Sequence, residues 1–272
     1  MEATENISVR YAAGVAYLTL NRPQARNAMS LAMVDELIDK LKEIENTSDN
    51  RIVVVRGAGG NFCAGADLKD MASARARVQS GQMDATEGDP VANINRRFGE
   101  LCATFSESPL ATITVLEGAV MGGGFGLACA SDITLADATA HLRLPETALG
   151  LVPAQIAPYL VERLGYSQAK RLAVTGGSVD AAAAARLGLV HELFTDTQAL
   201  EAGLGRVIGE ILACAPQALA ASKKLVAHAR LQTPRALIEE SALAFSQAAM
   251  GPEGMEGIRA FIEKRKPSWV PQ

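Results

Sequence analysis

The sequence predicts an α/β core followed by a helical C-terminal region, and three observations support this prediction. Up to about residue 196, short apolar segments alternate with segments of helical periodicity, which is typical of a parallel sheet with crossover helices. From about residue 197 the strand-like segments stop and helical patterns follow one another. The chain has 272 residues, enough for one large core with an appended part. We therefore expect a core at 1–196 and a helical region at 197–272.

The elements of the core follow from their apolar periodicity. Residues 14–20 (GVAYLTL) alternate and are rich in β-formers, which predicts a strand. Ser30 is a suitable N-cap for a helix in which apolar residues recur at helical spacing, namely Leu31, Val34, Leu37, Ile38, Leu41 and Ile44. Short apolar runs predict buried strands at 51–57, 111–118 and 131–137. Helical patterns lie between them, at about 91–107 and about 123–130.

The C-terminal region contains four helical patterns, at 198–213, 216–230, 235–249 and 253–265. Residues 72–90 (ASARARVQSGQMDATEGDP) differ from these because they are polar, small and aperiodic. This composition predicts a mobile loop, with Gly81 and Gly88 as candidate hinges.

The composition argues against several classes of protein. The formal net charge is −4, so no global basic field would hold nucleic acid. The longest apolar run is too short and too rich in glycine to span a membrane, and the N-terminal MEATENISVR does not resemble a signal peptide. The four cysteines form no CxxC pair and the three histidines are not spaced as metal ligands. We therefore expect a cytoplasmic protein with reduced thiols and no metal site.

The stretch GAVMGGGFGLACASD at 118–132 contains three consecutive glycines. It lacks the lysine of a phosphate-binding GxxxxGK[ST] loop and does not match the dinucleotide pattern GxGxxG. It follows a predicted strand and opens a helix, whose N-terminus offers unpaired N–H groups and a positive dipole end. Such a site suits a developing oxyanion, because glycine lets a ligand approach the backbone closely. The alternative is that the glycines only permit tight packing of the helix on the sheet.

Two further segments favour the oxyanion interpretation. The stretch GNFCAGADLKDM at 60–71 also follows a strand and carries a glycine turn. Two such turns can direct two N–H groups at one point, which is the layout of an oxyanion hole. The stretch AHLRLPETALGLVP at 140–153 adds Glu146 in an apolar setting, which favours a raised carboxyl pKa and general acid–base catalysis. The alternative for Glu146 is an ordinary helix N-terminal glutamate after Pro145.

Six segments in the same order resemble the crotonase superfamily of enoyl-CoA hydratases and isomerases. They are LNRPQARNAMS (20–30), FCAGADLKDM (62–71), GAVMGGGFGLACASDITLA (118–136), PETALGLVP (145–153), AVTGGSVDAAAAARLGLVHELF (173–194) and FIEKRKPSW (261–269). The resemblance implies a crotonase-type ββα spiral core with an acyl-CoA site. It also implies a C-terminal helical region for trimerisation and for closing the CoA pocket, in a homotrimer or a dimer of trimers.

The resemblance also implies roles for particular residues. The backbone N–H groups of Ala66 and Gly123 match the two oxyanion donors, and Glu146 matches a catalytic acid/base. The expected contacts to coenzyme A come from three places in the chain, namely Gln24, Ala25 and Arg26; Ala64, Asp67 and Leu68; and Phe261 and Lys264 near the C-terminus. Coenzyme A is then part of the substrate, and no separate cofactor, nucleic acid or membrane is expected as a partner.

Two departures from the family pattern bear on the reaction. Well-known hydratases of this family carry a second glutamate at the position that is Gly126 here, whereas Δ3,Δ2-enoyl-CoA isomerases need only one base. The segment GLVPAQIAPYLVERLG at 150–165 instead resembles a branch that hydrates 3-methylglutaconyl-CoA in leucine breakdown or isohexenylglutaconyl-CoA in acyclic terpene breakdown. The distal carboxylate of such a substrate requires a basic or amide partner, for which the candidates are Arg97, Arg143 and Gln155.

These departures leave three functional hypotheses. The favoured one is a hydratase of a branched glutaconyl-type thioester, in which the space at Gly126 receives a bulky acyl group. The second is an isomerase that uses Glu146 as its single base. The third is a non-catalytic homologue that binds acyl-CoA or RNA, since a fold does not determine function. In the catalytic hypotheses, the loop at 72–90 covers the acyl pocket and becomes ordered when acyl-CoA binds.

Overall fold

A computed structural model describes residues 5–47, 49–80 and 88–271 of the chain. The described residues contain nine strands: β1 Ile7–Ala12, β2 Val15–Leu20, β3 Ile52–Gly57, β4 Ala111–Leu116, β5 Ala119–Met121, β6 Ile133–Asp137, β7 His141–Arg143, β8 Ser178–Asp180 and β9 Glu192–Phe194. Six of them form one sheet in the order β1-β2-β3-β4-β6-β9, and the other three form a second sheet in the order β5-β7-β8. The strands predicted from apolar runs are confirmed as β2, β3, β4 and β6.

The same residues contain ten α-helices: α1 Leu31–Glu45, α2 Leu68–Gln79, α3 Pro90–Glu107, α4 Gly123–Ala130, α5 Ala157–Thr175, α6 Ala181–Arg186, α7 Thr197–Leu212, α8 Pro216–Ala229, α9 Ile238–Met250 and α10 Pro252–Ile262. Each helix predicted from periodicity is confirmed. The side chain of Ser30 accepts a hydrogen bond from the backbone N–H of Met33, as expected of the N-cap of α1. Helices α5 and α6 were not predicted.

The large sheet is parallel except at its first strand pair. Strands β1 and β2 form an antiparallel hairpin, and β2, β3, β4, β6 and β9 pair in parallel. Parallel pairing brings the carboxyl ends of β3 and β4 to one edge, so the chain leaves both strands close together. The two glycine turns of the predicted oxyanion hole lie beyond that edge. The predicted α/β class is therefore confirmed.

The prediction of an irregular loop at 72–90 is wrong for residues 72–79, which are helical. Residues up to Gln79 belong to α2, whose N-cap Asp67 accepts a hydrogen bond from the N–H of Lys69. Helix α3 begins at Pro90 and is capped by Asp89. The polar, small side chains gave no periodic signal because Ala74 is the one buried residue of α2. Residues 81–87, including the candidate hinge Gly81, lie outside the described residues, and Gly88 has a φ of 68°.

Two apolar layers cover the two faces of the large sheet. On one face, α1, α3, α4 and α5 pack through side chains that include Leu37, Leu101, Phe105, Phe125 and Leu160. On the other face, α7 packs Leu200, Leu204, Val207 and Ile211 against residues of β3, β4 and β6. Burial of such side chains contributes about 1.5–3 kcal/mol each. The first layer includes α3 and α4. Its packing therefore holds α4, the helix that begins in the glycine run, in a defined position.

Helices α8, α9 and α10 bury little of their apolar surface in the described chain. Ala260 is the one buried residue that they contain, whereas Phe245, Met250 and Phe261 are 77%, 75% and 86% exposed. Among the described helices, none is by itself long and apolar enough to cross a membrane. The pair α7 and α8 reaches that length and composition only together, with a bend of 98° between them.

Candidate active site

Two glycine turns face each other at the edge of the large sheet. Gly65 follows β3 and has a φ of 97°, and Gly122 precedes α4 with a φ of 49°. A Cβ atom on Gly65 would lie 3.9 Å from Gly122 Cα, and a Cβ on Gly122 would lie 3.8 Å from Gly65 Cα. Glycine is required at both positions because the positive φ strains any other L-residue and the backbones touch. The two turns predicted from sequence are therefore in direct contact.

The two predicted oxyanion donors belong to these turns. The N–H of Met29 donates to the carbonyl of Gly65 at 2.8 Å, and the N–H of Asp67 donates to the carbonyl of Met29 at 2.9 Å. In this parallel bridge the N–H of the intervening Ala66 points away from Met29. Gly123 is the first residue of α4, where backbone N–H groups have no intrahelical acceptor. Ala66 and Gly123 line the same cavity.

Cys63 connects the two turns and was not identified from the sequence as a site residue. Its N–H donates to the carbonyl of Ala119, and its carbonyl accepts from Met121. Its Sγ accepts a hydrogen bond from the N–H of Gly65 at 3.3 Å. Burial raises the pKa of the thiol to about 12, so it stays protonated at neutral pH. A Cβ on Gly124 would lie 2.6 Å from Cys63 Cβ, so the thiol fills the space beside the second turn.

Glu146 presents its carboxylate to the second turn. It opens a short 3₁₀ turn, Glu146–Leu149, that ends at Gly150 in the left-handed region. A Cβ on Gly122 would lie 3.0 Å from Glu146 Oε1. Oε2 is buried and has no hydrogen-bond partner among the described residues. Burial raises the pKa of this carboxyl group above its ordinary value, as the apolar sequence context predicts.

The turns and the carboxylate share a cavity of about 410 Å³. Its walls are mainly apolar and include Met29, Val34, Met71, Ile94, Phe98 and Ile156. Three aspartates also line it, but each is engaged elsewhere. Asp67 pairs with Arg22 at 2.8 Å, Asp70 accepts from the N–H of Leu31 at 2.7 Å, and Asp89 caps α3. Glu146 is therefore the lining carboxylate that remains unpaired within the described chain.

Gly126 does not line this cavity, because the side chain of Ile156 covers it. The expectation that an acyl group occupies the space at Gly126 is therefore wrong. The segment around Ile156 lies between α3 and α4, and it forms the wall where a two-glutamate hydratase would carry its first carboxylate.

The segments predicted to hold coenzyme A lie side by side. Gln24 and Ala25 belong to a short 3₁₀ turn, and Arg26 ends it with a φ of 48°. The N–H of Ala64 donates to the carbonyl of Arg26 at 2.9 Å. The fully buried Asn27 supports this turn by donating to the carbonyls of Ala58 and Asn61. The first two predicted CoA segments are thus joined by hydrogen bonds.

The remaining predicted CoA contacts divide into two groups. Asp67 and Leu68 line the cavity, and Leu68 is 66% exposed at its mouth. Phe261 and Lys264 do not line it, since they lie at and beyond the end of α10. A contact between these two residues and coenzyme A stays a prediction.

The three candidate partners of a distal carboxylate have different environments. Arg97 pairs with Asp35 and Glu100 at 2.5 and 2.6 Å and does not line the cavity. Arg143 does not line it either. Gln155 does line it, and its Nε2 donates to Asn95 Oδ1 at 3.0 Å. Asn95 was not singled out from the sequence, because a lone asparagine in a helical pattern carries no signal of its own.

The sequence and the structure of the chain are both similar to those of known proteins. The model of the enoyl-CoA hydratase/isomerase family matches residues 10–272. The chain belongs to the enoyl-CoA hydratase/isomerase family. It is 30% identical to the 2,3-dehydroadipyl-CoA hydratase of Escherichia coli over 94% of both chains.

Two solved structures share the fold of nearly the whole chain, and with the family match they confirm the predicted crotonase-type architecture. An enoyl-CoA hydratase/isomerase from Marinobacter aquaeolei is 44% identical and covers 98% of this chain and 100% of its own, with a TM-score of 0.92. Pseudomonas aeruginosa AtuE is 46% identical with the same coverage and a TM-score of 0.92. The chain is therefore an enzyme of the enoyl-CoA hydratase type, and an acyl-CoA is its substrate.

Proposed function

We propose that this enzyme adds water across the 2,3 double bond of a branched glutaconyl-type CoA thioester, such as 3-methylglutaconyl-CoA or isohexenylglutaconyl-CoA. The observation that carries the proposal is the unpaired, buried carboxylate oxygen of Glu146 beside the oxyanion turns. An exposed or ion-paired glutamate would have no reason to hold a raised pKa at this point.

In this proposal the thioester oxygen accepts hydrogen bonds from the N–H groups of Ala66 and Gly123. These donors stabilise the enolate that forms when a nucleophile attacks C3. The carboxylate of Glu146 takes a proton from the attacking water, and the hydroxyl oxygen bonds to C3. The same proton then passes from Glu146 to C2 as the enolate collapses. One carboxylate suffices because the proton that it takes from water is the proton that it gives to C2, and the raised pKa makes the carboxylate a stronger base in the first step.

The substrate class rests on two supports. The segment 150–165 has the PA-x-I-x-P pattern of the glutaconyl branch, and its Gln155 is an amide in the wall of the cavity. The Escherichia coli relative is named for a dehydroadipyl substrate, whose acyl group has a second carboxyl group. Both favour an acyl chain with a polar distal end over a plain alkyl chain.

A second candidate function is the isomerisation of a 3-enoyl-CoA, which needs a single base. It is favoured by the apolar wall at Gly126, which leaves Glu146 without a second glutamate at that position. In this reaction Glu146 would remove a proton from C2 and return it to C4.

We also propose that the enzyme assembles as a homotrimer or a dimer of trimers through its C-terminal helices. The support is the exposed apolar surface of α9 and α10, which includes Phe245 and Met250. A neighbouring copy that covers this surface would bring groups close to the CoA-binding turns of the first copy. Phe261 and Lys264 are the proposed contacts.

The deciding experiment measures the conjugated-enoyl absorbance with three substrates. With 3-methylglutaconyl-CoA the absorbance falls if water is added, and with a 3-enoyl-CoA it rises if the double bond moves. Crotonyl-CoA reports hydration of a small chain. A faster fall with the glutaconyl ester than with crotonyl-CoA is expected. A rise with the 3-enoyl-CoA and no fall with either 2-enoyl-CoA would replace the hydratase with the isomerase.

A further inference from the structure

Two amide side chains form a hydrogen-bonded pair in the otherwise apolar part of the cavity wall. Asn95 projects from α3, and Gln155 projects from the segment that follows the Glu146 turn. Gln155 Nε2 donates to Asn95 Oδ1 at 3.0 Å, and both residues are half-buried. Paired amides in an apolar wall are costly to desolvate unless their remaining groups find partners. The pair therefore points to a polar group in the ligand.

The pair is held in place by the packing around it. A Cβ on Gly99 would lie 2.4 Å from Gln155 Oε1, so the absent side chain leaves a notch in α3 for that oxygen. The next residue, Ile156, fills the equivalent notch beside Gly126 of α4. The segment is thus anchored on both helices by consecutive side chains. Such anchoring pre-organises a binding group at low entropic cost.

Counting donors and acceptors shows which ligand chemistry fits. Gln155 Oε1 lies against α3, and Asn95 Oδ1 already accepts from Gln155. The two amides carry four N–H hydrogens, and within the described chain one of them is used. Exchanging the amide oxygen and nitrogen of either residue changes which group donates, but it leaves a surplus of N–H groups. Three N–H hydrogens thus stay without a partner within the described chain, so the pair can donate to a ligand oxygen.

We propose that the Asn95–Gln155 pair binds a carboxylate or carbonyl oxygen at the distal end of the acyl group and thereby selects the substrate. A Cβ on Gly123 would lie 3.1 Å from the ring of Phe98, three residues after Asn95. Three helical residues correspond to a rise of about 4.5 Å. An acyl chain whose thioester oxygen lies at Gly123 passes Phe98 and reaches the pair after a few carbon atoms. This inference deepens the proposed function and rests on it.

The test compares two CoA esters that differ only at the distal end, 3-methylglutaconyl-CoA and 3-methylpent-2-enoyl-CoA. Their dissociation constants are measured by calorimetry in the Glu146→Gln protein, in which turnover is slowed about 10²- to 10⁴-fold. Asn95→Leu is expected to weaken binding of the glutaconyl ester about 10- to 100-fold, the usual worth of hydrogen bonds to a charged group. Binding of the pentenoyl ester should change much less.

Two further variants keep the test independent of a folding defect. Asn95→Asp preserves size and can still accept from Gln155, so the glutaconyl ester should be rejected while the pentenoyl ester still binds. Arg97→Gln is the matched control, since Arg97 lies on the same helix but pairs with Asp35 and Glu100. It should leave both dissociation constants unchanged. The methyl ester of 3-methylglutaconyl-CoA shows whether a neutral carbonyl oxygen suffices.

The possible results separate this inference from the proposed function. An equal loss for both esters, or no loss for either, in Asn95→Leu and Asn95→Asp would overturn the inference. If the wild type binds both esters but never changes their absorbance, hydration is wrong, and the selective loss of binding still decides the role of the pair. If the wild type binds neither ester, both ideas fail.

Discussion

Ile156 occupies the space that a side chain at position 126 would need. A Cβ on Gly126 would lie 2.0 Å from Ile156 Cγ2 and 2.7 Å from its Cβ, far closer than real atoms approach. Gly126 is buried in α4, and Ile156 is 3% exposed. The side chain of Ile156 therefore packs directly against the backbone of α4 at Gly126. A glutamate cannot be restored at position 126 without displacing the segment that carries Ile156.

We predict that Gly126→Ala destabilises the enzyme by overpacking. The added methyl group forces Ile156 out of its notch, and such substitutions cost about 1–3 kcal/mol. Thermal unfolding should show a lowered Tm, and hydratase activity should fall because Ile156 lines the cavity. Gly205→Ala in α7 is the control, since nothing lies within 4 Å of its Cβ. That change should be neutral or stabilising.

The double variant Gly126→Ala/Ile156→Ala gives the decisive comparison. Contacting residues couple, so the double variant should lose less stability than the sum of the losses in Gly126→Ala and Ile156→Ala. Strictly additive losses of stability would show that the two positions do not share their space.

The sequence predicts those strands and helices in which the pattern of apolar residues matches the pattern of buried positions. Strands such as β3 were predictable because continuous apolar runs are buried on both faces. Strands β5, β7, β8 and β9 have three residues each, too few for an alternation to be recognised. Helix α2 was missed because it buries only Ala74 and so lacks an apolar stripe.

The parts of the site that are predictable from sequence are those in which a glycine is needed for the backbone conformation. The positive φ of Gly65 and Gly122 can be inferred from glycines that follow strands. The roles of Cys63, Asn95 and Ile156 depend on contacts with Gly124, Gln155 and Gly126, which are 61, 60 and 30 positions away. A single sequence does not contain those juxtapositions, so the tertiary fold had to supply them.

Replacing the proposed catalytic carboxylate, Glu146, should lower turnover without abolishing binding. Glu146→Gln keeps the size of the side chain but cannot exchange a proton, so kcat should fall about 10²- to 10⁴-fold. The dissociation constant for an enoyl-CoA should change little, because the donors of Ala66 and Gly123 are backbone groups. Stopped-flow kinetics and calorimetry test the two statements. Near-full activity of Glu146→Gln would mean that another group is the base.

The same substitution should stabilise the fold in a pH-dependent manner. Burial raises the pKa of Glu146 above its ordinary 4.5, so the folded state binds more protons than the unfolded state as the pH rises through this window. Stability is then lost with rising pH, by proton linkage. Glu146→Gln should therefore have a higher Tm than wild type at pH 7, and the difference should vanish below pH 4.5.

Glu256→Gln provides a control of opposite sign for that pH series. Arg265 holds the pKa of Glu256 down at about 2, so its stabilising contribution is present at neutral pH and is lost as the pH falls toward that value. Glu256→Gln should lower Tm at pH 7. If both variants shifted Tm in the same direction, the assignment of a raised pKa to Glu146 would be wrong.

Cys63 should act as a positioning residue for the oxyanion hole. Cys63→Ala removes the acceptor of the Gly65 N–H, and the loss of one hydrogen bond lowers kcat about 2- to 12-fold. KM should change little, and Cys63→Ser should restore activity in part. The absorption band of a bound enoyl-CoA should shift less to the red than in wild type, because the thioester is less polarised. Cys102→Ala, which removes another buried thiol, should leave that band unchanged.

The last prediction concerns the C-terminal helices. Truncation before Arg235 should give monomers or aggregates with weakened CoA binding, but it also removes internal contacts. Trp269 donates to the carbonyl of Ala213 and accepts from Arg51, so the shortened chain loses stability as well. Phe245→Arg is the cleaner change, because Phe245 is 77% exposed and a charge there blocks only an apolar partner surface.

Light scattering should therefore find a smaller species for Phe245→Arg than for wild type. The Tm of the dissociated Phe245→Arg chain should equal that of a dissociated wild-type chain. Tyr11→Arg is the control, since Tyr11 is 51% exposed on the edge strand β1 and distant in sequence from the helical surface. It should keep the wild-type mass. An intact, CoA-competent trimer in Phe245→Arg and in the truncated chain would contradict assembly through these helices. Weakened CoA binding that accompanies dissociation would support a contribution of Phe261 and Lys264 from a neighbouring copy.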